Sequence, residues 1–249
     1  MPTGFIYVMT TVTKRYEQEA FCNVPTQWHD RLYFGPCKIP MRPRMDVGDH
    51  VFGVSPSHAG TRRILFAAQI AERLTFAQAY ERLPDLRGPV GPIHVRPVKK
   101  DAPFPRSSYE HIPGAIHSGD WERDLALPQL DAFFMCSPAD GWLNRWLGRY
   151  GPEIDDDMVA FLRGCPVHGR AGHLADHSDA TTENPVAYGG LYQGLHLETG
   201  EPARLLSMCA DRMRGIELPP LVDSPRLAKY ASGGCGCSQD RTRAAGGCT

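Results

Sequence analysis

Cys165, His168, His173 and His177 place one thiol and three imidazoles within a short run of chain. At this spacing they could surround a zinc ion tetrahedrally. The run also holds Gly164, Pro166, Gly169 and Gly172, so it predicts a loop. A histidine in such a loop can instead move protons near neutral pH, where imidazole titrates, and His173 is the candidate for that role. A Gly-His loop with neither use is the third reading. A second constellation is cationic. Lys38, Arg42 and Arg44 precede the turn Asp46-Val47-Gly48-Asp49, and His58, Arg62 and Arg63 surround the next turn. If 50–55 and 62–70 pair as neighbouring strands, both groups are expected at one end of the sheet. There, guanidinium groups hold phosphate oxygens two at a time, which lysine cannot copy. The plain alternative is a solvated hairpin end.

Other reactive residue types are better explained by packing or solvation. Asp155, Asp156 and Asp157 suit a helix start, where carboxylates complement the backbone dipole. Trp142 and Trp146 are four apart and predict one packed helix face rather than a base-stacking platform. Tyr109, Glu110 and His111 fall in a proline-rich excursion, where exposed functional residues are common. Cys235, Cys237 and Cys248 are one ligand short of a closed zinc site. No phosphate-binding Walker loop, dinucleotide fingerprint, Gly-x-Ser-x-Gly elbow or His-Glu-x-x-His helix occurs, which argues against the common NTPases, dehydrogenases, hydrolases and zinc proteases.

The elements that must position these groups follow from pattern. FIYVMTTV (5–12), 31–38, HVFGVS (50–55), RRILFAAQIAERL (62–74) and LDAFFMC (130–136) read as strands. Thr75 and Gln78 have capping-box spacing and predict a helix over TFAQAYERL, stopped by Pro84. Seven prolines and three glycines between Pro84 and His117 exclude a long helix there, with IHVRPV (93–98) as an edge strand. Trp142, Leu143, Trp146, Leu147 and Tyr150 predict a helix ended by Gly151-Pro152. Further helices are expected over MVAFLR, closed by Gly164, and over ARLLSMCADRM, opened by Pro202. The expected fold is α+β: a curved, mostly antiparallel sheet with packed helices.

FIYVMT, GPCKIPMRPRMDVGDHVFGVSP and RRILFAAQIAERLTFAQAYE together resemble the nucleotide modification associated domain 2 family of bacteria and phages. Where that family has Cys-Lys-Pro, this chain has one residue more, Cys37-Lys38-Ile39-Pro40. LDAFFMCSPADGWLNRWLG and Arg170-Ala171-Gly172-His173 are similar to its later strand and Gly-rich turn, so the likeness covers most of residues 4–177. It implies association with DNA or nucleotide base modification, with protein partners from a modification system. The Val-Gly-Asp turn before a strand also resembles the PUA-like barrels, which bind nucleic acids and modified bases.

Bulk properties fit that setting. The chain has 249 residues, 42% hydrophobic and 22% charged, ordinary for a globular protein. Residues 1–115 carry 15 Lys/Arg against 10 Asp/Glu, a net of +5, and residues 116–249 carry 12 against 18, a net of −6. A basic front half attracts phosphate. No apolar run is long enough for a membrane span, and the start lacks a signal-peptide pattern, so no membrane association is expected. Eight scattered cysteines predict reduced thiols and a cytoplasmic location. Residues 1–230 are expected to form one α+β domain, and 231–249 a flexible Cys/Gly-rich tail. The expected pocket is formed by Cys37 to Arg44, His58 to Arg63 and the His173 loop. An enzyme acting on a nucleotide, a reader of modified bases and a zinc-stabilised interaction module are the alternatives it leaves.

Overall fold

Strands that are hydrophobic on both faces must be covered on both faces, and this chain has several. The computed structural model describes residues 2–9, 12–17, 25–36, 41–56, 59–88, 91–115, 121–165, 182 and 195–224. In chain order the strands are β1 (Gly4–Val8), β2 (Thr26–Trp28), β3 (Arg31–Phe34), β4 (His50–Val54) and β5 (Ile64–Leu74). Helix α1 (Phe76–Arg82) follows, then β6 (Val95–Pro97), β7 (Tyr109–His111) and the single turn α2 (Trp121–Asp124). The rear carries β8 (Phe133–Cys136), α3 (Asp156–Arg163), β9 (Leu195–Leu197) and α4 (Glu201–Met213).

Among the described residues seven strands form one mixed sheet in the order β2-β3-β8-β5-β4-β1-β9, and β6 pairs with β7 apart from it. Every described pairing is antiparallel except β1 with β4. The long strand β5 turns a corner. Its residues up to Gln69 pair with β4 and those from Ile70 onward pair with β8, with a register shift between Ile70 and Glu72. A shift of this kind bends the strand and increases its twist. The sheet therefore curves, but among the described residues β2 and β9 do not pair to close a barrel.

Alternation along the strands sorts the core into three. Phe5, Tyr7, Leu32, Phe34, Val51, Phe66 and Phe134 face inward and pack together inside the curve, with Met41 and Met45 at one end. Ile6, Val8, Phe52, Val54 and Ile64 face outward beneath α3 and α4. Trp28, Tyr33, Phe133 and Met135 face outward under α1 and the β6–β7 pair.

The helix starts behave as their sequences predict. Thr75 caps α1 in a complete capping box with Gln78. Asp155 caps α3 by accepting from the Met158 N–H at 3.0 Å, and Gly164 follows its last turn. Pro202 sits in the first turn of α4.

The helix expected over 142–150 is absent but for a 3-10 turn at Gly148–Tyr150. This stretch runs along β5 instead, where Asn144 N–H donates to Ala67 O and Leu147 N–H to Leu65 O, both at 2.8 Å. Those donors are lost to a helix, and Asn144 and Gly148 stand at φ 56° and 54°, in the left-handed region. Trp142 packs on the core under α3 and α4, whereas Trp146 packs on the inner core, so the two do not share a face. Beyond this stretch, the predicted tail lies outside the described residues.

Candidate binding cleft

Thr13 builds a tight turn that begins the cleft. Its N–H donates to Glu17 O at 2.9 Å, its carbonyl accepts from Tyr16 N–H at 2.9 Å, and its hydroxyl accepts from the Arg15 and Glu17 N–H groups. Tyr16, at φ 61°, donates its phenol to Thr61 O at 2.9 Å and so ties the turn to the start of β5. This turn meets the 144–150 stretch at Gly148. A Cβ placed there would lie 3.2 Å from Tyr16 O and 3.1 Å from Trp146 Nε1, so glycine at φ 54° lets the two segments meet without pressing on either.

Trp146 is held from two sides. Its N–H donates to Gln27 Oε1 at 3.0 Å, and its indole lies 6.4 Å from the Phe66 ring with 28° between the planes. The Gln27 amide is fully used, because Nε2 donates to His29 O and Arg31 O. Arg145 is only 9% exposed. Its Nη2 donates to Pro219 O at 2.6 Å, while its Nε is buried without a hydrogen-bond partner among the described residues. Burial lowers its pKa from the usual arginine range, and no carboxylate opposes that shift. The Arg149 guanidinium lies 5.0 Å over the Tyr150 ring.

These segments and Pro219–Val222 enclose a cleft of about 760 Å³. Among the described residues four cations line it, Lys14, Arg15, Arg145 and Arg149, against the carboxylate of Glu17. Tyr16, Trp146 and Tyr150 supply aromatic surface. Planar aromatic ligands stack on such rings, and their negative groups are met by fixed cations.

Of the residues singled out from sequence, the described ones do not line this cleft. Arg42 is 1% exposed and gives its donors to Leu130 O, at 2.6 Å, and to Asp124 O. Arg62, 4% exposed, donates to Ser55 O. Arg63 bonds Gly151 O at 2.9 Å and the Glu153 carboxylate, and its guanidinium lies 5.6 Å over the Tyr16 ring. It thus packs on Tyr16, which lines the cleft. Arg44 is exposed. Lys38, His58, His168, His173 and His177 lie outside the described residues.

The expectation that both basic groups share one end of the sheet is corrected by register. His50 pairs with Gln69 and Val54 with Ile64, so the Arg42–Arg44 turn and the Arg62–Arg63 pair approach opposite ends of the β4–β5 hairpin. A strand of that length separates them by roughly 15 Å. Arg42 and Arg62 act as struts, each satisfying backbone carbonyls in the interior.

Cys165, the first ligand of the zinc reading, is buried and donates to Phe161 O at 3.5 Å. Burial, with the Glu201 carboxylate nearby, pushes its thiol up to about 12. Among the described residues no group of three His, Cys, Asp or Glu gathers to hold a metal. Nor is any described helix long and apolar enough to cross a membrane.

Sequence reasoning missed the cleft. Its one advance signal was Trp146 beside Arg145 and Arg149, which the apolar spacing of 142–150 hid inside an expected helix. Fold and site together define an α+β protein with a curved mixed sheet and an aromatic, cationic cleft beside its inner core. Compared with known proteins, the chain matches no family model, no curated protein and no solved structure.

Proposed function

We propose that the protein binds a nucleotide, free or within a single strand, in the cleft between Lys14–Glu17, Arg145–Tyr150 and Pro219–Val222. The family resemblance supplies the setting, nucleotide or DNA base modification in a cytoplasm, alongside the proteins of such a system. One observation carries the binding reading. Arg145 is almost fully buried, has no carboxylate partner among the described residues, and stands next to a half-buried tryptophan. Burying a charge without a counter-charge is costly, and an anionic ligand offsets that cost. Trp146, Tyr16 and Tyr150 supply the stacking surface that every nucleobase accepts.

The finer fold reading belongs to the same proposal. A corner strand joining two half-sheets around an inner core suits a PUA-like, partly closed barrel.

Calorimetric titration of the full chain with deoxynucleoside monophosphates and with a short single-stranded oligonucleotide tests the reading. Arg145→Ala and Trp146→Leu should each weaken binding about tenfold or more, in line with roughly 1–3 kcal/mol for a stacked base. A strand that contacts several cations should lose affinity with salt more steeply than a monophosphate. Unchanged affinity in both variants overturns the assignment of this cleft. Nucleoside analysis of DNA from cells with and without the chain separates an enzyme, which alters the profile, from a reader, which leaves it unchanged.

A further inference from the structure

Arg145 lines the cleft and also holds down a strap of chain. Residues 214–222 follow α4 and include the Pro219–Val222 wall of the cleft. None of them is buried, although Met213 before them and Ser224 after them are. Ile216, Leu221 and Val222 are 41%, 38% and 68% exposed, so the strap leaves its larger apolar groups in water. Pro219 and Pro220 have no N–H to pair with a sheet edge. The strap therefore reaches β2 only at its far end, where Ser224 N–H donates to Gln27 O at 2.8 Å.

Two bonds run back to the end of α4, Arg214 Nη2 to Asp211 and Ile216 N–H to Met213 O. At the other end Asp223 accepts from His29 N–H and lies 3.7 Å from the His29 imidazole. Between these ends one hydrogen bond among the described residues ties the strap to the body, Arg145 Nη2 to Pro219 O at 2.6 Å. A segment with no buried side chain and a single central tie opens at little cost.

That tie uses the buried cation of the cleft. A phosphate carries full negative charge and takes a guanidinium two-pronged, whereas a peptide carbonyl is neutral. Arg145 Nε is buried, so the edge open to a two-pronged grip is the Nη pair, and Pro219 O already sits on Nη2. Building on the nucleotide reading of the cleft, we infer that the strap 214–222 is an autoinhibitory wall. Pro219 O holds Arg145 in the free protein, and a bound phosphate takes the guanidinium and releases the strap. The coupling is reciprocal: whatever loosens the strap tightens phosphate binding.

The test is cleavage of the full chain by a glutamate-specific protease at Glu217, which is exposed within the strap, with inorganic phosphate and with dAMP. Cleavage of such a segment tracks how often it opens. In the wild type, saturation with either probe should speed cleavage at Glu217 by about fivefold or more. Cleavage at Glu198, exposed before α4, should not change and controls for effects on the protease. Asp223→Ala removes the clasp on His29 and no residue of the cleft. It should raise cleavage without a ligand and bind dAMP several-fold more tightly by calorimetry. In Arg145→Ala, Glu217 should be cut fast at a rate that neither probe alters. Binding that leaves Glu217 cleavage unchanged or slower, or equal dAMP affinity in Asp223→Ala and wild type, overturns this inference and leaves the cleft standing. Binding of neither probe overturns both.

Discussion

Arg42 and Arg145 are both buried arginines, and what their donors meet separates them. Arg42 holds two carbonyls, Leu130 O and Asp124 O, and so joins the turn before β4 to the segment before β8. Among the described residues Arg145 holds the one carbonyl Pro219 O. Burial of an arginine is invisible in a list of residue types, so Arg42 and Arg62 read as phosphate ligands, and Arg145 drew no attention. Gly148 is as decisive as any charge. An alanine there must hold φ +54° and press its Cβ on Tyr16 O and Trp146 Nε1. Gly148→Ala should therefore lower stability by about 1–2 kcal/mol, the usual cost of a left-handed residue with a side chain. It should also weaken nucleotide binding, because the indole and the Tyr16–Glu17 peptide are pushed apart. Urea unfolding and titration check the two effects, and a variant with normal stability and binding contradicts the account of how these segments meet.

At the scale of elements, α3 and α4 are clamped by one carboxylate. Asp155 accepts from the Met158 N–H and takes Arg212 two-pronged, Nε to Oδ2 at 2.7 Å and Nη2 to Oδ1 at 2.8 Å. Burial on its own raises the pKa of Asp155, but the Met158 N–H and the Arg212 guanidinium outweigh it and hold the carboxyl below its ordinary value. Its folded-state pKa is thus depressed, and the stability it contributes is present above the unfolded value of about 3.9 and lost as pH falls through the folded value. Asp155→Ala should cost about 1 kcal/mol at pH 7, mostly from the lost cap, since the half-exposed ion pair is screened by solvent. Asp155→Asn, which still caps, should cost less. Urea midpoints measured from pH 7 down to 3 should show the alanine deficit shrinking at the acid end. A deficit that is constant with pH removes the carboxylate from the clamp. These helices were legible because caps and stops are local: Asp155 with Gly164, Thr75 with Gln78, Pro202. The 142–150 stretch was not legible, because its apolar spacing serves two different cores. The short strands β2 and β7 have too few residues for a period to show.

Across the whole molecule the cleft depends on a corner. Its walls come from residues 14–17, 145–150 and 219–222, irregular segments far apart in sequence, and no local pattern could have announced their meeting. Phe66 on β5 stands behind it. Its ring lies 6.0 Å from Tyr7 of β1, 5.7 Å from Phe34 of β3 and 6.4 Å from Trp146. The ring thus bridges both half-sheets and backs the indole. It fits because Gly53 opposite has no side chain: a Cβ there would lie 2.1 Å from Phe66 Cε1. Phe66→Leu keeps an apolar residue of similar bulk and should cost only about 1 kcal/mol. Because β5 still joins both half-sheets, the variant should unfold in one cooperative step, read by urea titration with two optical probes. The indole, however, loses the surface that holds its plane, so nucleotide affinity should fall by several-fold, out of proportion to the small loss of stability. Full affinity in Phe66→Leu shows that Trp146 is positioned by Gln27 and Gly148 alone. The corner of β5 is then only scaffold for the cleft.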